Sequence, residues 1–142
     1  MVSQAVQLKK IKNIPNIRNY ADIFFYIRNH TIDWSYLNYL KELTTFSDEV
    51  ISDWLNISVK TLRAYRKPET TFKDNLKEHI VLILSLYEHG TSVFEHKENF
   101  DQWLNTKNVF FDGNEPKNYL DTIMGIKFID DRLTAIEYGD NV

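Results

Sequence analysis

The sequence of 142 residues contains no cysteine, only four glycines and three prolines, and no apolar run long enough to cross a membrane. Without cysteine, a disulfide framework, a thiolate metal site and a cysteine nucleophile are all excluded. The glycines are too scattered to form a loop that cradles a phosphate. The first residues also lack the apolar segment of a signal peptide. We therefore expect a soluble, cytoplasmic protein.

Metal binding and catalysis have little support in the residue pattern. No two of the four histidines have the spacing of a metal-ligand pair, and no nucleophile has a plausible base nearby in sequence. Asp130 and Asp131 are adjacent, so on a helix they face different directions and make a poor acid/base pair. We expect no metal, no cofactor and no enzymatic activity.

Charge is strongly segregated along a chain whose composition suits a globular fold with a buried core. The net charge is only −3. Residues 59–77 nevertheless carry six basic side chains against two acidic ones, whereas residues 91–142 carry ten acidic against five basic. The first region suits a polyanion and the second suits a basic protein.

Residues 46–67 predict two short helices joined by a tight turn. Ser47 can cap the first helix and Ser58 the second, since a serine hydroxyl accepts from an otherwise unpaired backbone N–H. Asn56, between them, enters the left-handed conformation cheaply and lets the chain reverse. Val50, Ile51, Trp54 and Leu55 recur at helical spacing and give the first helix one apolar face.

The second of these helices has a polar, cationic surface that a DNA major groove could accept. Ile57, Leu62 and Tyr65 are expected to point inward. The expected DNA-binding residues are Ser58, Lys60, Thr61, Arg63, Arg66 and Lys67. The order of residue types resembles the helix-turn-helix of Xre-type repressors, although Trp54 stands where that family usually has a small residue. An ordinary helical hairpin with solvated charges remains the alternative.

The rest of the chain also favours helices, so the predicted class is all-α: a helix-turn-helix bundle followed by a small helical domain. We expect an arm and an uncertain first helix over 1–30, a helix-turn-helix domain over 31–90, and a third part over 91–142. Within the arm, residues 1–18 are expected to be flexible. The other helices are expected at 20–28, 33–43, 73–87 (ending at Gly90, and either a core helix or a subunit interface), 97–104 and 125–138, with a loop at 105–113 and a helical turn starting at Pro116.

The C-terminal stretch resembles the toxin-binding domain of Xre/MbcA/ParS-type antitoxins. The residues that carry the resemblance are Val93-Phe94, Trp103-Leu104, Asn108, Gly113, Pro116, Leu120-Asp121-Thr122, Gly125 and the terminal block Ile136-Glu137-Tyr138-Gly139. Val109 and Asp112 depart from the pattern, which more often has proline and glycine there. With the Xre-like helix-turn-helix, the resemblance spans about residues 34–142.

The resemblance implies the antitoxin of a type II toxin-antitoxin pair. Its helix-turn-helix would bind operator DNA and repress its own operon, and its C-terminal domain would bind a cognate RES-domain toxin that consumes NAD. Similar antitoxins act as homodimers and place the last helix and tail against the toxin's active site. A stand-alone transcriptional regulator with a C-terminal dimerisation domain is the alternative.

The expected toxin-binding residues are Glu137, Tyr138, Gly139, Asp140 and Val142. Glu137, Asp140 and the terminal carboxylate of Val142 could compete for cationic groups that otherwise bind the phosphates of a dinucleotide. Tyr138 could fill the space of a stacked base. From sequence alone, this tail has no evident structural role.

Overall fold

The computed structural model describes Ile11 and residues 13–142, and over these residues the protein is all-helical, as predicted. Seven α-helices and two short 3-10 helices follow one another without a strand in this part of the chain. The α-helices are α1 (Tyr20–Asn29), α2 (Trp34–Leu43), α3 (Asp48–Leu55), α4 (Val59–Tyr65), α5 (Asp74–Phe94), α6 (Lys97–Leu104) and α7 (Ile123–Glu137), and the 3-10 helices span Val109–Phe111 and Pro116–Tyr119.

The predicted helix pair forms because each of its ends is fixed by a local signal. The Ser47 hydroxyl accepts from the N–H of Val50 and begins α3, and the Ser58 hydroxyl accepts from the N–H of Thr61 and begins α4. Between them Asn56 lies in the left-handed region, at φ 58°. The three residues 56–58 therefore suffice to reverse the chain between α3 and α4.

Helix α5 is the centre of the fold. Every residue from His79 to Tyr87 is buried, and α5 packs against α1, α2, α3, α6 and α7. A helix that is surrounded by other helices is stable only if apolar residues cover all of its sides. The sequence left open whether this helix is a core helix or a subunit interface. Its burial within a single chain shows that it is a core helix.

The prediction that Gly90 ends this helix is wrong. Helix α5 continues to Phe94, and Glu95 ends it in the left-handed region at φ 72°. Gly90 is buried beneath the ring of Phe100 on α6, and a Cβ at this position would lie 2.4 to 2.5 Å from three ring carbons. The glycine therefore allows α6 to approach α5 rather than stopping the helix.

The expectation of a flexible arm over residues 1–18 is wrong for its last part. Ile11, Ile14 and Ile17 are buried in the hydrophobic core, and the Ser85 hydroxyl of α5 donates to the carbonyl of Pro15 at 2.8 Å. Residues 1–10 and 12 lie outside the described part of the chain. The first helix, expected at 20–28, forms as α1, and the Asn19 side chain accepts from the N–H of Asp22 at its start.

Smaller differences concern the C-terminal part. The predicted loop 105–113 contains the 3-10 helix Val109–Phe111, and α7 begins at Ile123 rather than Gly125 because the Thr122 hydroxyl accepts from the N–H of Gly125. The described hydrophobic core is continuous from Ile11 to Leu133. The division into three parts remains a prediction.

Glu88, on α5, makes the stability depend on pH. Burial raises the pKa of Glu88 to about 7. A carboxyl whose pKa is raised on folding binds its proton more tightly in the folded state, so stability falls as pH rises from about 4.5 towards 8. We expect Glu88→Gln to leave the free energy of unfolding unchanged at pH 4.5 and to raise it at pH 8 by about 1–2 kcal/mol. This value is smaller than the full pKa shift would give, because the side chain is only half-buried and solvent screens its charge.

Urea denaturation of both proteins at several pH values measures this difference. Glu69→Gln, at an exposed loop position, is the matched control and should show no such pH-dependent gain. A gain for Glu88→Gln that is equal at pH 4.5 and pH 8 would contradict the assignment to a buried carboxylate.

Candidate functional site

The six expected DNA-binding residues lie together on α4 and its two ends. Ser58, Lys60, Arg63 and Lys67 are exposed, whereas Thr61 and Arg66 are partly buried. Leu62 faces the core at 1% exposure, and Ile57 and Tyr65 pack against the same core, as predicted. Helix α4 therefore has an apolar inner side and a cationic outer side.

Asp48, at the first turn of α3, is a shared acceptor for three cations. Its carboxylate lies 3.1 Å from Lys41 Nζ, 3.2 Å from Arg63 Nε and 3.5 Å from Arg66 Nη1. Partial burial alone would raise the pKa of this carboxyl, but the hydrogen bonds from Lys41 and Arg63 outweigh it and lower the pKa. The carboxylate thus holds both arginines of α4 against the start of α3.

Arg66 is the more constrained of the two arginines. Its Nε donates to the side-chain oxygen of Asn38 on α2 at 2.9 Å. The Arg66 side chain is 30% exposed, and that of Arg63 is 62% exposed. Arg63, Lys60 and Lys67 are therefore the cations best placed to reach a phosphate.

Trp54 connects the helix pair to the C-terminal part of the chain. The indole is 2% exposed, its Nε1 donates to the carbonyl of Lys117 at 2.9 Å, and its ring lies against Phe46 and Tyr87. This large side chain thus fills the space between α3 and the Pro116–Tyr119 turn. Asn56 adds a second link, because its side-chain amide donates to the carbonyl of Asp121 at 3.0 Å.

Glu137, the first residue of the expected toxin-binding tail, is bonded to a partly buried histidine. His89 on α5 has Nδ1 at 2.6 Å from Asp130 Oδ1 and Nε2 at 3.0 Å from Glu137 Oε1. The hydrogen bond with Asp130, helped by the one with Glu137, raises the pKa of His89 against the effect of desolvation. About half of the Glu137 side chain remains exposed.

The end of the tail folds back onto its own domain. Arg132 Nη1 lies 3.0 Å from Asp140 Oδ2, and its Nη2 donates to the carbonyl of Asn141. The carbonyl of Val142 accepts from Trp103 Nε1 at 3.1 Å and from the side-chain amide of Asn108 at 3.2 Å. The expectation that this tail has no structural role is therefore wrong.

Gly139 makes the fold-back possible. It has φ +99°, and it ends α7 with its own N–H bonded to the carbonyl of Ile136 while the N–H of Asp140 bonds to that of Ala135. This pattern of two backbone hydrogen bonds is common where a helix ends at a glycine. Tyr138, immediately before it, projects into solvent with 85% of its surface exposed.

Helix α7 has a second apolar side that the sequence analysis missed. Four residues spaced by 4, 7 and 3 positions share one side of the helix, and we call them the outer stripe: Met124, Phe128, Ala135 and Tyr138. Met124 is 81% exposed and Phe128 is 45% exposed. Their helical spacing is visible in the sequence, and Ile126, Ile129 and Leu133 on the other side of the helix are completely buried.

Val109 and Phe110, on the first 3-10 helix, are two more exposed apolar residues that were not predicted as contacts. Val109 is 82% exposed, and the guanidinium of Arg132 lies 3.5 Å from the centre of the Phe110 ring. Because Arg132 also holds Asp140, one side chain connects the 3-10 helix to the tail. The C-terminal part thus combines exposed apolar groups with exposed carboxylates.

Ile11 and residues 13–142 contain neither a cluster of metal ligands nor a membrane-spanning helix. No group of three or more His, Asp or Glu side chains in this part of the chain is arranged to hold a metal ion. None of the helices there combines the length and apolar character that crossing a bilayer demands.

Residues 89–139 match the family model of the antitoxin Xre/MbcA/ParS C-terminal toxin-binding domain. The match begins in the last turns of α5 and takes in α6, both 3-10 helices and α7, so the resemblance of this part to that domain is confirmed. No curated protein matches the chain.

A domain of this family supports the role of antitoxin in a toxin-antitoxin system, with a toxin as the partner.

Proposed function

We propose that the protein neutralises a RES-domain, NAD-consuming toxin by covering its active site, and that it represses its own operon by binding operator DNA as a homodimer. It acts as a binding protein and not as an enzyme. The observation that carries the proposal is the toxin-binding domain at residues 89–139. The helix pair α3–α4 upstream, with its exposed cations, supports the DNA-binding half.

The chemistry of the C-terminal surface suits the active site of an NAD-consuming enzyme. A cleft that binds the phosphates of a dinucleotide presents cationic side chains, and Glu137 and Asp140 offer carboxylates to them. Tyr138 places a large exposed ring between these two acids. Arg132 holds Asp140 and Phe110 in place, so little side-chain freedom is lost when the partner binds.

Tyr138→Ala should weaken toxin binding by tenfold or more and leave the free energy of unfolding within about 0.5 kcal/mol of its original value. An exposed aromatic residue at the centre of an interface is a common hot spot, whereas its removal from the free protein uncovers little. The measurement is inhibition of the NAD-consuming activity of a RES-domain protein encoded beside this gene. Phe25→Ala, which removes an exposed aromatic ring outside residues 89–139, is the control and should inhibit fully.

This variant also separates the proposal from a stand-alone regulator. Deleting residues 138–142 would be a less specific test, because it would also remove the Val142 oxygen that accepts from Trp103. Tyr138→Ala avoids that damage. A chain that leaves the neighbouring toxin fully active on co-expression would contradict the antitoxin role, and DNA binding without toxin binding would favour the regulator.

For DNA binding, Arg63→Gln should raise Kd and lower the slope of log K against log salt by about one, because one phosphate contact is lost. The Asp48 carboxylate partly neutralises the charge of Arg63, so the rise in Kd should be smaller than for Lys60→Gln, whose side chain is exposed at the start of α4. Lys107→Gln, an exposed lysine in the acidic part, is the control. Salt titration of binding to the operon's promoter gives the slopes, and an unchanged slope for both variants would favour the ordinary helical hairpin.

A further inference from the structure

Residues of α1, α5 and the start of α7 line a surface cavity of about 600 Å³. We call it the α1–α7 cavity and define it by six of its lining residues: Tyr20, Phe24, Arg28, Lys77, Ile123 and Lys127. Its volume lies in the range of pockets that bind small organic molecules. The α1 residues precede the family match at 89–139 and the α7 residues lie within it, so neither part of the chain forms the cavity alone.

The α1–α7 cavity has an apolar floor and aromatic residues beside it. Ile23 and Leu82 are each only 6% exposed, and Ile123 packs against the same hydrophobic core. By contrast, Tyr20 and Phe24 line the cavity while remaining 57% and 52% exposed. Exposed rings beside an apolar floor offer contact area to a planar apolar group.

Three cations line the same cavity, each from a different helix: Arg28 on α1, Lys77 on α5 and Lys127 on α7. Asp74 and Glu78 of α5 oppose them, and both are exposed. The Asp74 side chain is 98% exposed and lies 3.9 Å from Lys77 Nζ, so it neutralises that lysine only weakly. The lining residues of α5 also include the first turn of a 21-residue helix, where partial positive charge accumulates. The cavity therefore favours an anion.

Lys127 is the cation best placed to pair with such a ligand. Its Nζ lies 4.4 Å from the centre of the Tyr20 ring, and no carboxylate in Ile11 or residues 13–142 forms an ion pair with it. Residues 1–10 and 12, which complete the chain, contain no acidic side chain. A contact with an aromatic ring leaves N–H donors of the ammonium group free for an anion. Lys127 is also partly buried, so solvent and salt screen its charge less than at an open surface.

We infer that the α1–α7 cavity binds a small organic anion with a planar apolar ring. The anionic group pairs with Lys127, and the ring contacts Phe24 and the apolar floor. Aromatic carboxylates and nucleotides both have this chemistry. The site uses none of the residues proposed to bind DNA or the toxin, and the inference does not depend on either proposal.

Two matched pairs of ligands test the inference on the full chain. Indoleacetate and its neutral amide differ in one negative charge, and AMP and adenosine differ in the phosphate. Calorimetric titration should show submillimolar binding of at least one anion and binding of its neutral partner that is weaker by about tenfold, because a hydrogen bond to a charged group commonly has an effect of this size. Binding of indoleacetate alone would identify a carboxylate ligand, and binding of AMP alone a phosphate ligand. No binding of either anion at millimolar concentration, or equal binding of each anion and its neutral partner, would overturn the inference.

Single substitutions locate the bound anion. Lys127→Gln should raise its Kd by about tenfold, whereas Lys127→Arg, which keeps the charge, should bind nearly as well as the original protein. Phe24→Ala should weaken binding by about fivefold through the lost ring contact. Phe25→Ala removes a neighbouring ring that is 58% exposed and does not line the cavity, and Lys107→Gln removes an exposed charge elsewhere, so these two variants are the controls.

Thermal unfolding gives a second readout for the same variants. The bound anion should raise the Tm of the original protein and of both controls, and it should raise the Tm of Lys127→Gln much less. An unchanged Kd for Lys127→Gln, or an equal loss of affinity in the two controls, would contradict the inference.

Toxin inhibition separates this site from the surface proposed for the toxin. Lys127→Gln and Phe24→Ala should still inhibit the toxin. If both variants lost inhibition and the original protein bound neither anion, the cavity would be part of the toxin interface and the inference would be wrong. Anion binding as expected in a protein that binds no toxin would support the inference and contradict only the antitoxin proposal.

Discussion

Gly125→Ala should lower the free energy of unfolding by about 3 kcal/mol or more, one of the two largest effects that we expect from a single substitution. A Cβ at this position would lie 1.8 Å from the carbonyl oxygen of Tyr119 and 2.9 Å from the Thr122 hydroxyl. The first of these is a backbone atom of the 3-10 helix Pro116–Tyr119, so relief requires moving that whole turn off the start of α7. Overpacking commonly costs 1–3 kcal/mol, and a contact with rigid backbone lies at the high end. The helical preference of alanine returns only about 1 kcal/mol.

Urea denaturation and thermal unfolding of the full chain measure this loss. Gly139→Ala is the informative comparison, because nothing lies within 4 Å of its Cβ position and only its φ of +99° is unfavourable for alanine. That variant should lose about 1 kcal/mol. Equal losses at the two glycines would show that close approach at Gly125 is not the cause.

Asp101→Ala is expected to cost about 3–5 kcal/mol. The Asp101 carboxylate is 3% exposed and accepts hydrogen bonds from the Thr44 hydroxyl at 3.0 Å, the Thr45 N–H at 2.6 Å, the Thr45 hydroxyl at 2.9 Å and the Tyr87 hydroxyl at 2.7 Å. Removal leaves several buried donors without an acceptor and creates a cavity, and each of these effects destabilises independently. The bonds also connect α6 to α5 and to the α2–α3 connection, so the loss should affect the whole fold.

Asp101→Asn tests the cause more finely. The amide keeps one acceptor oxygen but loses the charge and introduces two donors, so an intermediate loss is expected. Asp53→Ala, at an exposed position of α3, should change stability by no more than about 0.5 kcal/mol. If Asp101→Ala resembled Asp53→Ala in its denaturation midpoint, the hydrogen bonds around Asp101 would contribute little.

Features set by a few neighbouring residues were predicted correctly from the sequence. Ser47 and Ser58 begin their helices, and Asn56 enters the left-handed region. Each of these outcomes depends on one side chain and on backbone groups within four residues of it. For the same reason the short turn between α3 and α4 was predicted to the residue.

Features set by distant contacts were not predicted. Gly90 has the appearance of a helix end in sequence, and only the ring of Phe100 explains why a glycine stands inside α5. The isoleucines at 11, 14 and 17 were too few to suggest packing until the core beneath them was known. The fold-back of residues 140–142 likewise depends on Arg132, Trp103 and Asn108, which nothing in the local sequence associates with the tail.

In the candidate site, too, the features set by neighbouring residues were predicted and those set by distant contacts were not. The six expected DNA-binding residues share one helix, so a single helical pattern was enough to group them. The contacts of Arg63 and Arg66 with Asp48 and Asn38 involve two other helices and were not predicted. The residues that follow α7 were predicted as toxin contacts. The outer stripe was not predicted, because apolar residues of a helix are expected to face the core.

The family match begins at residue 89, inside a helix that runs from Asp74 to Phe94. A fragment cut at that edge would keep less than two turns of α5 and would lose the buried segment 79–87, against which α6 and α7 pack. The cut would expose to solvent Phe100, Leu104 and Ile129, which are completely buried in the intact chain. Exchange of this module between proteins therefore requires the transplanted piece to start no later than Asp74.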